Sequence, residues 1–140
     1  MHAIGNNWST LLRQGGRPII LFDFDETLAP CASTELLQQL GEEPMEFFKS
    51  LDDSDLPNIS SFNEKLVRRS QGRITKASLR EFGRSVRFFP GVTDFLLSIH
   101  SYARIGVLTC GPLELVLSTS IGRCLDYVMG SEFYYATNTQ

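Results

Sequence analysis

The sequence predicts an α/β fold: a parallel, Rossmann-like sheet with an inserted helical cap, the sheet itself incomplete. Three observations point there. Short apolar runs at Pro18–Phe22, Arg104–Leu108 and Asp126–Met129 alternate, in the outer parts of the chain, with segments of helical periodicity. The order strand, helix, strand, helix, strand implies right-handed crossovers and parallel pairing. The stretch 30–87 carries several helix signals and no convincing strand. Residues 1–29 and 88–140 are therefore expected to form the core, and 30–87 the cap.

Each element has a local reason. Trp8–Gln14 suggests a short helix stopped by Gly15 and Gly16. Pro18–Phe22 is a continuous apolar run bounded by turn residues, the pattern of a strand buried on both faces. Ser33 is placed to cap a helix through Leu40, with Gly41 as its stop. Pro44 opens another helical turn through Phe47 and Phe48, and Asp52–Ser60, containing Pro57, reads as an acidic loop. Ser61-Phe62-Asn63-Glu64 fits a capping box for a helix ended by Gly72. Thr75 caps the next helix, which runs through Phe82. Phe88-Phe89-Pro90-Gly91 is a turn, and Val92, Phe95, Leu96 and Ile99 give the apolar stripe of a helix reaching Tyr102. After the strand Arg104–Leu108, Gly111 and Pro112 open a helix running through Leu113, Val116 and Leu117 toward Gly122.

Composition narrows the class. A chain of 140 residues suggests one domain, large enough to bury a core without staples. The net charge of -3 gives no reason to expect nucleic acid as a partner. Cys31, Cys110 and Cys124 are odd in number and far apart, which argues against a disulfide framework or a zinc site and for a reduced, cytoplasmic setting. Met1–Gly16 lacks the apolar centre and cleavage pattern of a signal peptide. The longest apolar runs are far shorter than a membrane span, so no membrane partner is expected.

The chemistry concentrates in Ile19-Ile20-Leu21-Phe22-Asp23-Phe24-Asp25-Glu26-Thr27-Leu28. Alternate residues of an extended segment share a face, so Asp23 and Asp25 point the same way. They follow an apolar strand, and open α/β sheets bind ligands at the carboxyl ends of their strands. Two carboxylates on one face can divide labour: one attacks phosphorus, the other donates a proton to the leaving group and later takes one from water. Clustered carboxylates also suit magnesium, which prefers oxygen ligands and accompanies phosphate. The bland alternative is that both merely cap a helix or solubilise a turn.

These residues resemble the phosphatases of the haloacid dehalogenase superfamily. The first motif of that family, an apolar strand followed by D-x-D-x-T, is matched by Asp23, Asp25 and Thr27. Its second, an apolar strand ending in Ser or Thr, is matched by Val107-Leu108-Thr109. The helical segment between the motifs and the Phe89-Pro90-Gly91-Val92 turn are similar to the family, and the third strand, Tyr127–Glu132, is similar to its phosphoserine-phosphatase-like branch. The resemblance implies a small phosphorylated substrate and Mg2+. It implies that Asp23 is the nucleophile and a metal ligand, and that Asp25 is the general acid/base with its backbone carbonyl on the metal. Thr27 would belong to the same phosphate-binding set. Thr109 would hydrogen-bond the phosphoryl oxygens, and the N–H groups of Cys110 and Gly111 would join it around the anion. Taken alone, a Thr after a strand is usually a turn residue, and Cys110 a packed small residue.

The departures are as informative. The family uses a later lysine and a later acidic motif, and no lysine follows Lys76. Asp126 precedes its strand and is expected at the wrong end of the sheet. Half of the charge stabilisation is therefore missing from this sequence. Two other readings follow: a catalytically incomplete binding or assembly module, or the amino-terminal part of a longer enzyme. The first strand would then lack a neighbour on one side, which favours a homodimer or dependence on a missing carboxy-terminal segment.

Weaker signals remain. Eight of the 13 Lys and Arg residues lie between Lys65 and Arg87. Lys76, Arg80, Arg84 and Arg87 would share a helix face if the helix ran that far. That stripe would either face a phosphate-bearing substrate or, as is commoner, form a solvated face paired with the acidic stretch Glu42–Asp55. His100 reads as a helix-end residue.

Overall fold

The computed structural model describes residues 17–51 and 59–134. The expected helix at Trp8–Gln14 and most of the acidic loop lie outside these residues. Strand β1 spans Ile19–Asp23. Helices α1 (Ala32–Gln39), α2 (Pro44–Lys49), α3 (Ile59–Arg69) and α4 (Lys76–Ser85) follow. Then come α5 (Val92–Ile99), β2 (Arg104–Pro112), α6 (Leu113–Ser118), a 3-10 turn at Gly122–Cys124 and β3 (Tyr127–Ser131). Among the described residues the sheet has three strands in the order β1-β2-β3.

Both pairings are parallel, as the alternating pattern predicts. Ile19 to Asp23 of β1 lie opposite Arg104 to Leu108 of β2. Gly106, Val107 and Leu108 of β2 lie opposite Tyr127, Val128 and Met129 of β3, and the next matched pair is Pro112 with Ser131. Three β2 residues therefore separate Leu108 from Pro112, where β3 has only Gly130 between Met129 and Ser131. The surplus makes an irregular, bulged segment, Thr109-Cys110-Gly111, at the carboxyl end of the sheet. This is also why β2 is longer than its five-residue apolar run suggests.

The core is continuous from the sheet into the helical stretch. Phe24, Ile105, Val107, Leu96, Leu115 and Ile121 are buried around the strands, and Leu37, Phe47, Leu66 and Leu79 within the helical segment. Phe47, Phe48 and Phe62 pack together as rings, with Phe47 and Phe62 edge to face at 5.5 Å between centroids. Helix α4 lies against α6. Gly83 permits this: a Cβ there would overlap the Leu115 carbonyl and meet the Ser118 Cβ at 3.0 Å.

Helix ends agree with the sequence reading where the partners are local. Thr75 and Ser78 form a reciprocal capping box at the start of α4. Gly41 and Gly72 adopt positive φ after their helices, 75° and 81°. Two starts differ. The N-cap of α1 is Cys31, with Ser33 inside the helix. Helix α3 begins at Ile59, so Ser61 is not its cap. Helix α4 ends at Ser85, which leaves Arg87 off the expected basic face. Pro112 is the N-cap of α6 rather than its first helical residue.

Candidate active site

Asp23 ends β1, and the chain then turns over the carboxyl edge of the sheet. Phe24 is fully buried and anchors that turn, its carbonyl accepting from the N–H groups of Leu28 and Ala29 at 3.0 and 3.2 Å. Asp23 on one side of Phe24 is exposed and Asp25 on the other is half-buried. Glu26 follows with φ of 58°, a left-handed conformation costly for a residue with a side chain. It is held by its N–H to the Ala29 carbonyl (2.8 Å) and by its carboxylate, which accepts from the Cys31 N–H at 2.9 Å.

Asp25 is the better-anchored carboxyl. Its Oδ1 accepts from the Ala32 N–H at 2.7 Å, the first residue of α1. This contact explains why α1 starts at Ala32: the free N–H is capped by Asp25 from the turn after β1, not by Ser33. Its Oδ2 accepts from the Thr109 hydroxyl at 3.3 Å. Burial pushes the Asp25 carboxyl above the ordinary 3.8. The bonds from Ala32 and Thr109 oppose that rise, and the charges of Asp23 and Glu26 add to it. Among the described residues the Asp23 carboxylate has only a long contact, 3.5 Å, from the Thr27 hydroxyl to its Oδ2.

Asp25, Thr109 and Gly111 are thus brought together, with Asp23 and Thr27 beside them. Gly111 differs from expectation in one respect: its N–H is not free but donates to Thr109 Oγ1 at 2.9 Å, because the bulge folds the segment back on itself. Cys110 is exposed, and its carbonyl accepts from the Ser131 hydroxyl at 2.9 Å. Asp126 lies at the opposite end of the sheet, as its place before β3 implies, where its Oδ2 accepts from the Ile105 N–H at 2.8 Å.

The basic stripe is engaged elsewhere. Lys76 and Arg80 both pair with Glu114 of α6, Lys76 at 3.6 Å. Arg69 and Arg73 pair with Glu42, at 3.7 and 3.8 Å. These exposed pairs are worth about 0–1 kcal/mol each. On the far side of Ser131 lies a cleft of about 570 Å³ between α3 and the chain after β3, lined in part by Asn63, Val67 and Phe133. That is within the size range of small-molecule sites.

Among the described residues no group of three or more His, Cys, Asp or Glu is arranged to hold a metal ion. The donors present are the exposed Asp23 carboxylate and the groups around Asp25. Magnesium is commonly held by one or two carboxylates together with water and substrate phosphate. The residues fit that mode as part of a shell, not a dedicated cage.

Among the described residues, no helix is long and apolar enough to cross a membrane. No protein-family model and no curated protein matches the sequence. Solved structures do. A HAD-family hydrolase from Salmonella enterica serovar Typhi aligns with a TM-score of 0.61 and 21% identity, over 87% of this chain and 44% of that one. A subfamily IA HAD-superfamily hydrolase from Geobacter sulfurreducens aligns with a TM-score of 0.48 and 16% identity, over 84% of this chain and 64% of that one. A hydrolase from Streptococcus pneumoniae aligns with a TM-score of 0.37 and 19% identity, over 81% and 66%. The chain spans less than half the length of the Salmonella protein. The likeness to that protein is one of fold: this chain is built on a Rossmann-like α/β fold of the kind found in HAD-family hydrolases.

Proposed function

We propose that the chain carries the nucleophile-bearing part of a magnesium-dependent phosphohydrolase site acting on a small phosphomonoester. The observation that supports it best is the unequal pair. Asp23 is exposed and weakly bonded, as an attacking carboxylate must be. Asp25 is half-buried, with its carboxyl biased toward the protonated form, as a general acid must be.

In the proposed reaction the Asp23 carboxylate attacks phosphorus and the bond to the leaving oxygen breaks. Asp25 gives its proton to that oxygen. Water then attacks phosphorus, Asp25 takes a proton from it, and phosphate leaves Asp23 free. The Thr109 hydroxyl, released from Asp25, would hold a phosphoryl oxygen. Magnesium, when bound, would lie on the Asp23 carboxylate and the Asp25 backbone carbonyl and offset the charge of the phosphoryl group.

The test is phosphate release from p-nitrophenyl phosphate with magnesium, at high protein concentration. Any release above the blank should vanish in Asp23→Asn and fall by about 10²–10⁴-fold in Asp25→Asn. Release that survives both changes refutes the assignment. No release at all favours a second reading, an incomplete binding or assembly module. That reading draws on Lys76 being paired with Glu114 and on the lack, among the described residues, of a third acid arranged to hold a metal ion.

A further inference from the structure

The bulged segment Thr109-Cys110-Gly111 has left the β-ladder, so its backbone groups need other partners. The Cys110 carbonyl finds one in the Ser131 hydroxyl, at the end of β3. A serine hydroxyl has a single proton, and here it is spent on Cys110. The group facing Ser131 Oγ from the other side must therefore be a donor. That group is the Asn63 Nδ2 of α3, at 2.8 Å. The orientation of the Asn63 amide follows, and it leaves Asn63 Oδ1 buried with no hydrogen-bond partner among the described residues. Asn63 is only 7% exposed, so this acceptor is held out of water at a cost. A leucine of similar volume would fill the place without it.

We infer that Asn63 is a positioning residue, which from the helical segment fixes the Ser131 hydroxyl and through it the loop that brings Thr109 to Asp25. The chain of contacts is unbroken: Asn63 to Ser131, Ser131 to Cys110, then Gly111 to Thr109 and Thr109 to Asp25. It ties the seating of α3 to the geometry of the loop, so that displacing α3 also releases the loop. The functional consequence rests on the phosphohydrolase reading; the structural coupling does not.

The experiment measures amide hydrogen exchange at Gly111, relative to core amides, in the 140-residue chain and in Asn63→Leu, Asn63→Asp and Ser131→Ala. Leucine removes the donor together with the stranded acceptor. Aspartate would draw the Ser131 proton away from Cys110. Each variant should speed Gly111 exchange about tenfold, the scale of one net hydrogen bond, without faster exchange of the core. The Asn63→Leu/Ser131→Ala double variant should be no faster than either single change, because both break one relay. Unchanged Gly111 exchange in Asn63→Leu and Ser131→Ala, or additive effects in the double variant, would overturn the inference. Titration with inorganic phosphate and magnesium runs alongside, and affinity should fall about tenfold in the same variants. If the unaltered chain binds no phosphate, the phosphohydrolase reading fails while Gly111 exchange still decides the coupling.

Discussion

Asp25 is the residue whose environment says most about its use. The folded chain holds its carboxyl above the ordinary 3.8, chiefly through burial. The unfolded chain therefore gives up that proton more readily. Protonated Asp25 contributes stability that is fully present below the ordinary aspartate value and is lost as pH rises through the folded value. Asp25→Asn keeps an acceptor for the Ala32 N–H and carries no charge. In metal-free buffer it should unfold at a higher temperature than the unaltered chain near neutrality, and the gap should close as pH falls below 3.8. An Asn variant less stable at neutral pH would show that the Ala32 and Thr109 bonds to the carboxylate outweigh its burial. At this scale the sequence was legible where chemistry is local. Asp23 and Asp25 are singled out by their alternate spacing after an apolar run, and Thr27 by the family motif that it completes. Asn63 and Ser131 do not, since 68 positions separate them and the bond depends on how α3 meets β3. The Ala32 N–H was equally hidden, because a backbone group carries no mark in the sequence.

Among the elements, α4 against α6 is the contact most sensitive to a single atom. Gly83→Ala would drive a methyl into the Leu115 carbonyl, and backbone cannot yield as a flexible side chain does. The expected loss is about 1–3 kcal/mol by urea unfolding, the usual range for overpacking. A loss near zero would mean that α4 can slide on α6. The same packing accounts for the basic stripe. Lys76 and Arg80 face α6 and pair with Glu114, so replacing Lys76, Arg80 and Arg84 with Ala should leave phosphate affinity within about twofold, as expected for exposed charges screened by salt. A steep, salt-sensitive loss of affinity would instead place the stripe on the substrate. The strands and the order of helices could be read from periodicity, because apolar runs and amphipathic spacing are local. Helix starts were legible where the signal is local: at Thr75, whose capping partner Ser78 is three residues away, at Pro44, which opens α2, and at Val92, which opens α5. At α1 the Asp25 carboxylate, from the turn after β1, does the capping, and no local pattern reports it.

For the whole molecule the governing feature is that β1 has a hydrogen-bonded neighbour on one side only, among the described residues. Leu21 is 41% exposed on that strand and Phe95 is 49% exposed nearby, its ring edge to face with Phe22 at 6.1 Å. An apolar strand with one open edge invites pairing with another chain. Sedimentation of the 140-residue chain should show self-association, and Leu21→Lys should shift it toward monomer without unfolding. A monomeric unaltered chain would contradict this. The electrostatics point the same way as the edge: two carboxylates and a threonine are present, while among the described residues no third acid is arranged with them to hold a metal and Lys76 is paired with Glu114. Slow turnover is therefore expected even where the first chemical step is possible. That step is the central claim, and it can be measured alone. The chain is incubated with magnesium and acetyl phosphate, a donor whose leaving group needs little help, then acid-quenched for intact mass and peptide mapping. One added phosphoryl group is expected on Asp23, absent without magnesium and absent in Asp23→Asn, and longer-lived in Asp25→Asn. No adduct with donor in excess, or an adduct that persists in Asp23→Asn, would contradict it.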